Sequence, residues 1–250
     1  IVNGVVVGAD NTPTPAIGNR AIVAGSNGTS NVIQYFNISS TGNAIDFGDL
    51  VAGRSYMTVC SNITRALFAG GRVSSTFKND IEYVTIATTG NAQDFGDLTV
   101  ARQGLGSASN ETRATFAAGY DGSALSNVID YVTVDTTGNA QDFGDLTAAR
   151  TYIRGTANSY RGIYGGNNDY NNYIDYITIA TTGNATDFGD LLTTGSGLAS
   201  CANATRGTWS GGAVGAANTI QYVTIQTTGN ASDFGDLIAT LKDADACSGT

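Results

Sequence analysis

The sequence predicts an all-β fold, a five-bladed propeller of four-stranded antiparallel blades, and three observations predict it. The phrase "TTGNAQDFGDL" at 88–98 returns unchanged at 136–146 and in close variants at 40–50, 181–191 and 227–237, with starts 48, 48, 45 and 46 residues apart. A fixed period of this length marks stacked supersecondary units. Each period also holds four short pieces rich in β-branched and aromatic residues, bounded by Gly, Asn, Asp, Ser or Thr, and no stretch carries a helical period. Finally, 41% hydrophobic and 13% charged residues with 33 Gly and 2 Pro describe a packed, turn-rich chain. All-β repeat folds reach this length as one unit.

The four pieces of one period are "GLGSAS" (104–109), "RATFAAG" (113–119), "NVIDYVTV" (127–134) and "DFGDLTAA" (142–149). The first is small and apolar. The second carries one large residue per copy, Val23, Phe68, Phe116, Tyr164 or Trp209, among Gly and Ala. That pattern suits sheets converging where only small side chains leave room. The third keeps Tyr35, Tyr83, Tyr131, Tyr176 and Tyr222 in register and is partly apolar on both faces, so its sheet is expected to lie between two neighbours. The fourth holds the repeated "DFGDL". Such sheets packed radially are propeller blades.

The chain enters the repeat at "RAIVAG" (20–25), a second strand, and after the last "DFGDL" runs on as "IATLKDADACSGT", which aligns with the first-strand segment 51–64. The expectation is a ring closed by a blade shared between the N- and C-termini. Residues 19–250 then form one propeller, and residues 1–18 lie outside the repeats. The order of features resembles kelch-type β-propellers, the group that includes galactose oxidase: "ARQGLGSAS", a strand ending in or near Gly-Gly ("FAGG", "YGG", "WSGG"), "IDYVTI", then an aromatic fourth strand. It departs in having Phe47, Phe95, Phe143, Phe188 and Phe234 where kelch repeats usually carry Trp. Arg54, Arg102 and Arg150 are also replaced by Gly195 and Leu241 in the last two copies.

With no His, a galactose-oxidase copper site, Ser-His-Asp or Cys-His hydrolysis and most zinc sites are excluded. The expectation is a protein with no catalytic residues, cofactor or metal. Paired aspartates, Asp46/Asp49, Asp94/Asp97, Asp142/Asp145, Asp187/Asp190 and Asp233/Asp236, account for 10 of 21 acidic residues. They read as turn caps, some facing the repeated Arg20, Arg65, Arg113, Arg161 and Arg206. The alternative, a calcium corner or a glycosidase dyad, would place a site five times in one domain. A net charge of -9 with 10 Arg and 2 Lys scattered singly argues against nucleic acid. No apolar run reaches membrane-span length, so no membrane insertion is expected.

Differences between copies point to function. In the turns between second and third strands, "YDGSALS" (120–126) and "NNDYNNY" (167–173) offer Tyr120, Asp121, Asn167, Asp169, Tyr170 and Tyr173 as a glycan-binding set. Sequons at Asn27, Asn37, Asn62, Asn110, Asn184, Asn203 and Asn230 are candidate glycosylation sites. Cys60, Cys201 and Cys247 fall near the ends of first strands, where one disulfide pinning the C-terminal strand and simple burial are both open readings. The leading "IVNGVVV" lacks a Met, as after removal of a leader or trimming, which makes an extracellular location the expectation. Its Ile1, Val2, Val5, Val6 and Val7 form an apolar strand that folds back or adds to a neighbour. The first expectation is thus a non-enzymatic structural subunit of an extracellular fibre, surface layer or virion appendage that polymerises through this N-terminal strand, with copies of itself as partner. A glycan-binding propeller is the second, and a carboxylate-based hydrolase or lyase the third.

Overall fold

The computed structural model describes residues 5–7, 20–25, 30–167, 171–193, 195–212, 218–241 and 246. Every main sheet is antiparallel and has four strands. Blade 1 holds β1 (Val5–Val7), β2 (Arg20–Ala24), β3 (Val32–Asn37) and β4 (Ile45–Asp49). Blade 2 holds β5 (Thr58–Ser61) and β6 (Arg65–Ala69), a small hairpin of β7 (Arg72–Val73) and β8 (Thr76–Phe77), then β9 (Asp80–Thr85) and β10 (Gln93–Asp97). Blade 3 comprises β11 (Gly106–Ser109), β12 (Arg113–Ala117), β13 (Ser126–Thr133) and β14 (Gln141–Arg150). Blade 4 comprises β15 (Arg154–Ala157), β16 (Arg161–Gly165), β17 (Tyr173–Thr178) and β18 (Thr186–Asp190). Blade 5 comprises β19 (Leu198–Ala202), β20 (Arg206–Gly211), β21 (Thr219–Thr224) and β22 (Ser232–Asp236). The five sheets form the expected all-β propeller.

One expectation is corrected. The inner strand of blade 1 is β1, which pairs with β2 through Val5↔Val23, Val6↔Ile22 and Val7↔Ala21. The edge of β2 is therefore satisfied by the leading segment, and no strand shared between the two ends completes that sheet among the described residues. Of the two readings of the leading strand, folding back onto its own propeller is the one seen for Val5–Val7. An apolar run of β-branched residues that reaches an open edge gains ladder hydrogen bonds by this route. At the other end Leu241 takes the backbone position that Arg102 and Arg150 hold in the other copies. Gly212 N donates to Leu241 O at 2.8 Å, as Gly71 N does to Arg102 O and Gly119 N to Arg150 O at 2.9 Å.

Four apolar cores lie between consecutive blades. Phe47, Phe95, Phe143 and Phe188 each enter one, beside Phe68, Phe116, Tyr164 and Trp209 respectively from the next blade. Each "DFGD" Phe also meets the third-strand Tyr of its own blade edge-on at 5.8 Å. A register shift falls beside the Gly of each "DFGD", where φ is 138–148°. That is a bulge that only Gly accepts readily.

Candidate functional site: the uncovered faces of blades 1 and 5

The repeated phrase acts across blades. In each of the first four junctions the "TGN" turn of one blade caps the "DFGD" strand of the blade before it. Gly90, Gly138, Gly183 and Gly229 donate N–H to the carbonyls of Phe47, Phe95, Phe143 and Phe188, all at 2.7 Å. Asn91, Asn139, Asn184 and Asn230 accept at Oδ1 from the N–H of Asp49, Asp97, Asp145 and Asp190, all at 3.1 Å. Deeper in the junction, Glu82, Asp130, Asp175 and Gln221 accept from the backbone N–H of Val51, Thr99, Thr147 and Leu192.

The repeated arginines belong to the same device, and not to the aspartates that the sequence reading set against them. Arg20, Arg65, Arg113 and Arg161 each lie over the third-strand Tyr of their own blade, 4.5–4.8 Å from the ring centroid. Each then donates to a backbone carbonyl of the next blade, that of Ile86, Val134, Ile179 or Ile225. Arg54 and Arg102 instead pair with Glu82 and Asp130 of the blade whose first strand they precede, and Arg150, at the end of β14, pairs with Asp175 in β17 of blade 4, the last two at 2.9 and 2.6 Å. Where the Arg becomes Gly195, the acid becomes Gln221. Charge and countercharge are lost together, as burial of either one alone would demand.

Between blades 5 and 1 none of these bonds is made among the described residues. Phe234 is 54% exposed where Phe47, Phe95, Phe143 and Phe188 are 2–3%. Ile38 is 46% exposed where Ile86, Val134, Ile179 and Ile225 are 0–1%. Gln34, Ala44 and Arg206 are exposed, and Ile238 stands free of any cover. A Cβ added at Gly48, Gly96, Gly144 or Gly189 would strike the next blade's turn, whereas one at Gly235 meets nothing within 4 Å. The leading face of blade 1 and the trailing face of blade 5 are therefore two halves of the interface that joins the other blades.

The other sequence candidates are committed locally. Asp121 Oδ1 accepts from Ser123 N, Ser123 Oγ and Ala124 N at 2.7–2.8 Å, and these bonds hold its carboxyl below the usual range. Tyr120 donates to Gly122 O at 2.7 Å and packs on Phe77. Asn167 is buried and accepts from Asn171 N, while Tyr173 opens β17 and is 40% exposed. Asp169, Tyr170, Asn27, Cys247, Ile1 and Val2 lie outside the described residues.

The sequon asparagines have structural work. Asn62, Asn110 and Asn203 accept at Oδ1 from N–H groups two and three residues on, closing the turn before the second strand. Asn158 does the same without a sequon. Asn62 and Asn110 also donate Nδ2 to Glu111 O and Ser159 O in the next blade, both at 3.0 Å. Asn184 and Asn230 are the junction acceptors described above. Asn37 accepts from Ser39 N at the surface. Cys60 and Cys201 are free thiols, the first buried and the second half-buried. Among the described residues no group of three or more His, Cys, Asp and Glu stands together to hold a metal ion.

No family model matches the chain, and no curated protein matches it. The fold and the two uncovered faces are the ground for a functional reading. The sequence signal for those faces was present in the repeat, since four copies of one interface in five blades leave two halves over.

Proposed function

We propose that the protein is a non-enzymatic structural subunit that joins copies of itself head to tail, blade 1 of one copy on blade 5 of the next. The observation that carries the reading is the pair of uncovered, complementary faces. Each residue needed for a fifth junction is in place: Asn43 for Asp236 N, Gly42 for Phe234 O, Arg206 for Ile38 O, and Gln34 for Ile238 N. A second copy fits better than closure of one chain upon itself. Closing one ring would turn all four packed junctions at once, and each is wedged by a Gly lying against the next blade's backbone. A heterologous contact of this kind propagates into a fibre or winds into a larger closed form.

The kelch-like order of features supports a propeller used as scaffold. An extracellular fibre or virion appendage suits a chain poor in charge, and this location is part of the proposal. Phe234 and Ile38 are about half exposed, so covering them would stabilise the contact by about 1 kcal/mol each. Light scattering and electron microscopy of the whole chain test it: particles larger than one chain are expected, and Phe234→Asp or Ile38→Asp should leave monomers of unchanged circular dichroism. A wild-type protein that stays monomeric at its highest soluble concentration would sink the reading.

A further inference from the structure

A second feature lies on the face formed by the loops between second and third strands and by the segments that lead into each first strand. In those segments the residue two places after Arg54, Arg102, Arg150 and Gly195 is Tyr56, Gly104, Tyr152 and Gly197, and all four have left-handed backbones with φ of 57–70°. Gly suits that conformation, whereas an L-residue there is strained. Bulky residues held at positive φ gather at functional positions. Two copies meet the demand with Gly, and two spend the difference on tyrosine.

What the tyrosines gain is each other's company on one side of the propeller. Gly104 N donates to Tyr56 O at 2.9 Å, and Tyr152 N donates to Gly104 O at 2.7 Å, so three neighbouring blades present these residues in a hydrogen-bonded row. A Cβ at Gly104 would strike Thr151 Oγ1, so only Gly lets the neighbouring segments approach this closely, and the rings of Tyr56 and Tyr152 meet edge to face at 5.6 Å. Both rings are half-buried. Arg72 reaches in from the β7–β8 hairpin with its guanidinium 5.2 Å from the Tyr56 centroid. Gln103 donates Nε2 to Tyr152 Oη at 3.3 Å.

Two polar atoms in this cluster are buried and unpartnered, Gln103 Oε1 and Arg72 Nε, and Gln103 as a whole is only 6% exposed. A buried acceptor and a buried donor left open beside aromatic rings each carry an uncompensated desolvation cost. A ligand offering both a donor and an acceptor would recover that. The residues next in sequence to the row, Met57 and Leu105, line a cavity of about 70 Å³ with Ser107, Arg154 and Ser200.

We propose that Tyr56, Tyr152, Gln103 and Arg72 form a binding site for a pyranose sugar. The ring's axial C–H face packs on tyrosine, a hydroxyl donates to Gln103 Oε1, and a second oxygen accepts from Arg72 Nε. The site is built from residues other than the loop set at 120–126 and 167–173. It is independent of the head-to-tail contact, which uses the blade faces and not this end of the molecule.

The other copies supply the control. Tyr56→Gly with Tyr152→Gly installs what Gly104 and Gly197 already carry, so the backbone is relieved of strain while the aromatic surface is removed. Saturation-transfer NMR on the whole chain with methyl glucopyranoside, mannopyranoside, galactopyranoside and N-acetylglucosaminide, and with glucuronic acid, is the measurement. Transfer to at least one of these sugars is expected from the wild type, weakened roughly tenfold or more in the double Gly variant. The thermal midpoint of that variant should not fall by more than the lost ring contact explains. Silence from the whole panel, or equal transfer in the double variant, would overturn the site. Should the double variant lose its circular dichroism, Arg72→Ala carries the same test, with equal transfer again counting against the proposal. Particle size should be the same for all these variants, which separates this result from the fate of the assembly reading.

Discussion

Asp130 and Arg102 form an ion pair with neither side chain exposed, and Asp130 also accepts from Thr99 Oγ1 at 2.6 Å and from Thr99 N. Burial pulls the Arg102 pKa down and Asp130 pulls it back. Removing the carboxylate strands the guanidinium, so Asp130→Ala should lose about 3–5 kcal/mol in urea unfolding, as buried pairs do when one partner goes. The double change Arg102→Gly with Asp130→Gln copies Gly195 and Gln221 and should recover a large part of it.

Cys60 supplies a pH prediction. Burial pushes its thiol from the ordinary 9.0 up to about 12, so above pH 9 the unfolded chain sheds a proton that the folded chain keeps. The stability from this group is whole below about pH 9 and is lost as pH rises toward 12, at about 1.4 kcal/mol for each pH unit. Cys60→Ala should flatten that part of the alkaline unfolding curve. In native protein Cys201 should react with a thiol reagent well before Cys60.

At the scale of the element, the strands were legible because their pattern is local: alternation, aromatic register and turn residues all sit within one period. What the "TTGNA" turn does was not legible, since its partners lie in the neighbouring blade and every copy offers the same residues. The left-handed position was hidden for another reason. Its signal is Gly104 and Gly197 standing in register with Tyr56 and Tyr152, which a search for shared residues passes over. The bulge glycine gives the sharpest test of this level. Gly96→Ala places a methyl against the Gly138 carbonyl and should cost more than ~2 kcal/mol. Gly235→Ala, with the same kind of φ and open space, should cost about 1 kcal/mol in a monomer and approach the Gly96 value once a partner covers it.

For the whole molecule, blade count and class could be read from the period, whereas the pairing of the ends could not. The C-terminal segment aligns with first strands, and so it was assigned to the edge of β2 that β1 occupies. Two segments of one chain suited the same edge, and sequence register alone did not rank them. The candidate site was less legible than the fold. An uncovered face is defined by what is absent beside it, and the residues of Phe234 or Ile38 look no different from their buried counterparts. Deleting residues 1–7 should expose the β2 edge and lower the thermal midpoint. Particle size would stay as in the wild type if copies join through blade faces.

The turn that caps the preceding blade also has a bearing on how such a chain changes length. Because every junction is made by the same few atoms, removing or duplicating one 48-residue period brings together two faces that already match. A chain that gained or lost a whole blade would therefore keep every junction intact, whereas a point change within the shared phrase disturbs two sheets at once.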